Sequence, residues 1–300
     1  MFVIRHRNFF FALSALLVII SLALVGVWGI RPSIDFTGGS LALVSYEGDV
    51  PTAAEVARQL DGVGFSGVSV RESEADSLFV RTQPIAEGDA NRLLEALAGD
   101  GHRVSLERLS SVGPTVGAEL RQKTVLAIFL VVLMIILYVA FAFRKVSHPV
   151  SSWVYGLVAV LTLLHDIIIP TGVFAVLGRT VGLEADTLFV VALLTILGLS
   201  VNDTIVVFDR IRENLRANEA RSVTEPFDVT VGKSLEQTYV RSFNTSLTII
   251  IVLLALFFLG GPSIHSFILT LLVGLIAGTY SSIFLASPLL VTIANRKSAR

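Results

Sequence analysis

The chain is 300 residues long, 53% hydrophobic and 16% charged, with a net charge of -1 and no cysteine, and its mean hydropathy is +0.77. Soluble domains carry about 25% charged residues, so an ordinary soluble class is excluded. The balanced charge excludes a basic field aimed at nucleic acid, and the missing thiols exclude a disulfide framework, a cysteine-ligated metal and a thiolate nucleophile.

Taken in chain order, six apolar runs approach or exceed the length of about 20 helical residues that crosses a bilayer. The first, Phe9–Ile30, outruns the apolar core of roughly 7–15 residues in a cleaved signal peptide, and no A-x-A-like site precedes Arg31. It reads as an uncleaved anchor within a first segment, 1–30. Residues 31–122 then have ordinary soluble composition. SLALVSYE alternates like a strand, and TAAEVARQL reads as a helix opened by Thr52 with Glu55 in capping-box register. VSVRES and SLFVRT form a strand pair, EGDANRLLEALA a second helix and HRVSLERLSSV a last strand. That βαββαβ order predicts an external ferredoxin-like α+β domain, a fold that by itself says little about function.

Residues 123–300 hold five more spans: Val125–Phe143, Trp153–Leu177, Thr187–Phe208, Phe243–Leu259 and Ile264–Ile293. The fifth is short and must begin in the polar stretch around Arg241; the last is long enough to tilt. The fold class is therefore membrane α-helical, with six transmembrane helices and one external α+β domain between helices 1 and 2. Arg5, Arg7, Arg144, Lys145, the basic residues of a loop at 209–240, and Arg296, Lys297 and Arg300 fall on one side. The short loops on the other side, GRTVGLEA and GGPSIHS, carry only Arg179. The positive-inside rule places both termini and the 209–240 loop in the cytoplasm.

Asn202 and Asp203 stand inside the fourth run, LFVVALLTILGLSVNDTIVVFDRI, where a carboxylate at a helix centre costs about 2.5–3.5 kcal/mol on insertion scales. Asp203 lies about 9 Å along the helix axis from Asp209, which with Arg210 marks the cytoplasmic interface. Arg241 enters the next span from the same side and is long enough to reach inward. A pair that opens and closes would let Asp203 take up and release a proton. Asn202, Thr204, His165 and Asp166 are further positions for a proton path or for helix contacts. His165 and Asp166 are sequence neighbours that leave a helix on different faces, so they are not expected to form a facing dyad. Gly274 and Gly278 form G-x-x-x-G, a helix-packing motif. HDIII is no H-E-x-x-H, Gly198–Ser200 lacks the small residue of a serine-protease motif, and no phosphate-binding loop is present. No metal site, organic cofactor or enzyme activity is expected; a proton would be the coupling ion.

Four stretches carry a family resemblance. IDFTGGS, with Asp35, Phe36, Thr37, Gly38 and Gly39, follows the first span, and LLHDI lies in the third. GLSVNDTIVVFDRIREN crosses the fourth, and SLEQTYVRSFNTSLT enters the fifth. In this order they resemble the SecD/SecF family of bacterial protein-export membrane subunits, on its SecF side, over essentially the whole chain. The resemblance implies a unit related to the RND superfamily. Such a unit works with SecD, associates with the SecYEG channel and uses the proton-motive force to promote translocation and release of unfolded preprotein. It implies that Asp203 and Arg241 belong to the proton path and that the chain sits in the bacterial cytoplasmic (inner) membrane among its lipids. YajC-like and insertase subunits are further partners it admits. The loop LRANEARSVTEPFDVTVGKS departs from the family by a few extra residues. Starting at Met1 with RHR and ending just after span six, the chain reads as a separate subunit rather than a SecD–SecF fusion. Two alternatives stay open: an RND-type proton-coupled exporter of small molecules or lipids, and a non-catalytic translocase scaffold.

Overall fold

Among the described residues of the computed structural model, six helices are long and apolar enough to cross a membrane. The structure describes residues 2–72, 76–85, 89–99, 101–142 and 150–298. Arg144, Lys145 and Arg300 of the orientation pattern lie outside the described residues, as do residues 87–88 of the expected second helix. Two units are present: a membrane unit of Met1–Ile30, Ala127–Leu183 and Leu188–Arg300, and a sheet unit of Arg31–Leu126 and Glu184–Thr187.

The chain opens with the short helix α1 (Phe2–Arg5) and the apolar helix α2 (Arg7–Trp28). The sheet unit follows, with the single turn α3 (Ile34–Thr37), β1 (Gly39–Glu47), α4 (Ala53–Gly62), β2 (Ser69–Glu72), β3 (Ser77–Thr82), α5 (Ala90–Leu97) and β4 (Arg103–Val112). Its strands are antiparallel in the order β2-β3-β1-β4. The period-2 pattern puts Ala42, Val44 and Tyr46 of β1 and Leu78 and Val80 of β3 on one face. They pack there against Val56 and Leu60 of α4 and Leu93 and Leu97 of α5. Thr52 caps α4 in a complete capping box. Its N–H donates to Glu55 Oε2 at 2.9 Å, and its hydroxyl accepts from the Glu55 N–H at 3.4 Å.

The remaining helices are α6 (Pro114–Ala142), α7 (Ser152–Thr180), α8 (Thr187–Ala220), α9 (Phe227–Leu259), α10 (His265–Ser281) and α11 (Ser287–Ser298). A π-helical turn, Ser282–Ala286, joins the last two. Two boundaries differ from expectation. The helix of the second span begins at Pro114, so there is no break at 122. Proline is tolerated in a first helical turn, and Glu119 pairs with Lys123 one turn on, at 2.7 Å. Nor is 209–240 a loop: α8 runs on to Ala220 and α9 starts at Phe227. Ion pairs within α8 (Arg210–Glu213 and Arg212–Asp209) support the extension. Asn214 also donates across the hairpin to Ser234 at 2.8 Å and Gln237 at 2.9 Å. Helices of 34 and 33 residues are about 50 Å long, well beyond a hydrocarbon core of about 30 Å. The membrane unit has its own core around Tyr155, Val207, Phe208, Ile211, Val231 and Leu290.

Candidate functional site

The inward face of α8 carries Ser200, Asp203, Thr204 and Val207, spaced i, i+3, i+4 and i+7, and all four are buried. Asn202 and Asp209, off that stripe, are exposed. Asp203 is 7% exposed, and its Oδ2 accepts one long hydrogen bond, 3.4 Å, from Ser246 of α9. Ser246 accepts in turn from Thr279 of α10 at 2.7 Å. The three side chains form a relay across three helices. Ser246 and Thr279 also border an apolar cavity of about 770 Å³, with Phe2, Tyr239, Phe243 and Tyr280.

Arg241 does not take the place expected for it. It is exposed, and among the described residues no ion pair joins it to Asp203, although its charge acts on that carboxylate through space. The reason is helical register. Thr238, Ser242 and Ser246 form the buried i, i+4, i+8 stripe of α9, and Arg241 sits one residue off it. Thr204 is buried, and its hydroxyl has no hydrogen-bond partner among the described residues.

A second buried acid lies on α7. Asp166 is 0% exposed and His165 3%. Contrary to expectation, the two neighbours do meet, with His165 Nδ1 2.8 Å from Asp166 Oδ1. Both side chains turn into the bundle, and their torsions close the angle that separates adjacent helical positions. Asp166 Oδ2 accepts from Ser281 of α10 at 2.7 Å and also from Ser200 of α8. Each of its carboxylate oxygens therefore has at least one partner. His165 stacks on Tyr280 with ring centroids 5.9 Å apart. The Tyr280 hydroxyl donates to the Phe10 carbonyl at 3.0 Å and accepts from Ser14 at 3.3 Å, tying in α2.

Glycines bring these helices together. A Cβ on Gly274 would lie 2.1 Å from the Ile196 side chain, and one on Gly278 would lie 3.2 Å from Ser200 Cβ, so both face α8. At Gly172 the clash is with backbone: its Cβ would fall 2.6 Å from the Ser21 Cα, where α7 meets α2. Sequence reasoning had not singled out Gly172, nor Ser200, Ser246, Thr279 and Ser281 as site residues. Their only signal was a hydroxyl in helical register with an acid or with another hydroxyl. In the sheet unit, the Asp35 carboxylate accepts from the Thr187 N–H at 2.9 Å and its hydroxyl at 2.8 Å. Asp209 and Arg210 belong to the surface ion pairs of α8.

The description "protein export membrane protein SecD/SecF, C-terminal" belongs to the family whose model matches residues 93–296. The chain belongs to the SecD/SecF family. Among SecF relatives, protein translocase subunit SecF of Thermobaculum terrenum is 42% identical, with 99% of this chain and 95% of the relative covered. SecF of Vibrio alginolyticus is 38% identical, covering 98% of this chain and 90% of the relative. The crystal structure of SecDF from Thermus thermophilus, described as a translocon-associated membrane protein, is 34% identical with a TM-score of 0.84. It matches 98% of this chain, which spans only 38% of that longer SecDF chain. SecDF in a super-membrane-facing form matches with a TM-score of 0.69.

Proposed function

We propose that the chain is an auxiliary subunit of the Sec protein translocase that works with a SecD partner. Together they use the proton-motive force to promote preprotein translocation and release across the bacterial cytoplasmic membrane. Membership of the SecD/SecF family supports the translocase role, and a SecDF relative that carries a SecF-like part within one longer chain supports the partnership. The observation that carries the coupling is Asp203, a carboxylate buried on α8 that, among the described residues, accepts a single hydrogen bond of 3.4 Å.

An ionised carboxylate in a low-dielectric site needs several donors, whereas a protonated one needs far fewer. Asp203 has too few for a settled anion, so its environment must change with its charge. The Ser246–Thr279 pair can supply that change, because the Thr279 hydroxyl can rotate between donating to Ser246 and donating to its own helix at the Leu275 carbonyl, 2.8 Å away. Proton uptake would then alter how α8, α9 and α10 are tied. One elementary charge moving through the membrane potential gains about 2.3 kcal/mol per 100 mV, enough to bias such an equilibrium. Exposed Arg241, Asn202 and Asn244 present polar groups at the surface of the membrane unit, where SecD acids would complete the path. The proton is the coupling ion, SecYEG and unfolded preprotein are the other partners, and both termini are cytoplasmic. The strand order and the crossovers through α4 and α5 support a ferredoxin-like sheet unit.

The test is translocation of a reporter preprotein into inverted vesicles containing this chain and its SecD partner, with and without a proton gradient. Asp203→Asn should remove the gradient-dependent part while co-purification shows the complex intact. Equal responses from wild type and variant would leave the acid as a helix tie and the chain as a scaffold.

A further inference from the structure

The signature IDFTGGS takes no part in either buried acid centre, yet its side chains are committed to directional contacts. Ser33 caps α3 by accepting the Asp35 N–H at 3.1 Å, which leaves the Asp35 carboxylate free for another helix. Both hydrogen bonds it accepts come from Thr187, the first residue of α8. That is where unpaired N–H groups and the helix dipole favour an anion. Beside it, Pro32 bridges Ala185 in parallel; the Ser33 N–H donates to the Ala185 carbonyl at 2.8 Å, and the Ala185 N–H to the Arg31 carbonyl at 2.7 Å. Arg81 of β3 closes the arrangement, donating to Glu184 at 2.7 Å and to the Thr37 hydroxyl at 2.8 Å. Arg81 and Glu184 are only 23% and 24% exposed. Gly38 has φ 75, and a Cβ there would lie 2.8 Å from the Pro114 Cα at the start of α6. These polar contacts and a left-handed glycine specify where each segment starts.

We propose that residues 31–37, Arg81 and residues 184–187 form a clip that fixes the first turn of α8 to the sheet. Movement of the sheet is thereby delivered to the helix that carries Ser200 and Asp203, rather than absorbed by the connection between α7 and α8. Asp35 and Arg81 are positioning residues, since they touch neither acid. A helix is a stiff carrier, and the path from Thr187 to Asp203 is about 24 Å along its axis. The inference deepens the proposed coupling and rests on it.

The chain contains no cysteine, which gives a clean rescue experiment in vesicles holding the full chain and its SecD partner. Asp35→Ala with Arg81→Ala opens the clip; Pro32→Cys with Ala185→Cys closes it again on oxidation, because bridge partners face each other at the Cα spacing of roughly 4.4–6.8 Å that a disulfide needs. Amide exchange at residues 187–191 should speed up in the double alanine variant, and gradient-dependent translocation should fall about tenfold, within the usual range of site-to-site coupling. Oxidation of the added cysteines should restore both and reduction should reverse the rescue. Unchanged exchange in the alanine variant overturns the clip, as does a disulfide that restores protection without restoring translocation. If the alanine variant fails to assemble, Asp35→Asn decides: faster exchange with a weaker gradient response supports the clip, and wild-type values for both overturn it. A wild type with no gradient response would sink the coupling reading instead, leaving the exchange measurement to judge the clip.

Discussion

Asp166 and Asp203 are both buried carboxylates of the membrane unit, and they are held in opposite ways. Asp166 has His165, Ser200 and Ser281 around its two oxygens, whereas Asp203 has Ser246 at 3.4 Å. The same two helices, α8 and α10, serve both: Ser200 and Ser281 at one acid, Asp203 itself and Thr279 at the other. The hydrogen bonds on Asp166 tie α7, α8 and α10 together, and under the proposed coupling it is a joint. A carboxylate with a single long bond has less to lose by changing charge, so on the same reading Asp203 is a switch. On that proposal the supply of donors, rather than burial, separates the two.

The largest effect should come from exchanging the two acids for leucine. Asp166→Leu leaves buried donors unpaired, each costing about 1–3 kcal/mol, so the thermal midpoint of the purified full chain should drop sharply. Asp203→Leu should leave that midpoint near wild type while removing gradient-driven translocation. An equal drop for both variants would erase the distinction between joint and switch.

Next in size is the packing that holds the joint. Gly172→Ala must push α2 from α7, since the added Cβ meets backbone, and overpacking of this kind costs about 1–3 kcal/mol. Gly278→Ala should cost less, because its Cβ meets Ser200 at 3.2 Å, where a small shift suffices. Denaturation of the two variants side by side checks the order, and a reversed ranking would show that α10, not α2, sets the spacing.

Smaller again is Ser246→Ala. Loss of one hydrogen bond of about 1 kcal/mol corresponds to roughly a fivefold change, expected in the gradient response and not in the melting temperature. A melting shift without a change in coupling would make Ser246 part of the joint.

The smallest change is a control in the sheet unit. Thr52→Ala should cost about 1 kcal/mol of sheet-unit stability and leave both acids untouched. The Thr52 hydroxyl and N–H hold the Glu55 carboxyl below its ordinary value of 4.5. The folded value is the lower one, so this contribution is fully present above 4.5 and lost as pH falls through the folded value. The gap between acid melts of wild type and Thr52→Ala should therefore narrow at low pH, leaving the part that comes from the hydroxyl accepting the Glu55 N–H. A gap that stays constant would mean that Glu55 does not act through the cap.

Much of the fold was legible from local pattern. The alternation of SLALVSYE and the Thr52–Glu55 spacing are short-range signals, and β1 and α4 lie where those signals put them. The 209–240 segment was misread because its charges resemble a loop; within α8 they are spaced to pair along the helix, and polar residues continue a helix once it is nucleated. At the site, Asp203 and Asp166 stood out because an acid in an apolar run is conspicuous. Arg241 stood out too, but reach along the sequence says nothing about rotation about the helix axis, and that rotation put Ser246 against Asp203.

By itself the sequence determined which segments are helices long enough to span a bilayer, because a chain in hydrocarbon must satisfy its backbone hydrogen bonds within each segment. It also determined the strand–helix order of the sheet unit, because period-2 and capping patterns are local. Only the tertiary structure decided which hydroxyls belong to which acid. Ser200 and Ser281 lie 34 and 115 residues from Asp166, and Ser246 lies 43 residues from Asp203. A serine in an apolar helix reads the same whether it bonds its own backbone or a neighbour's carboxylate. The register and rotation of packed helices make that choice, and those depend on contacts far apart in the chain.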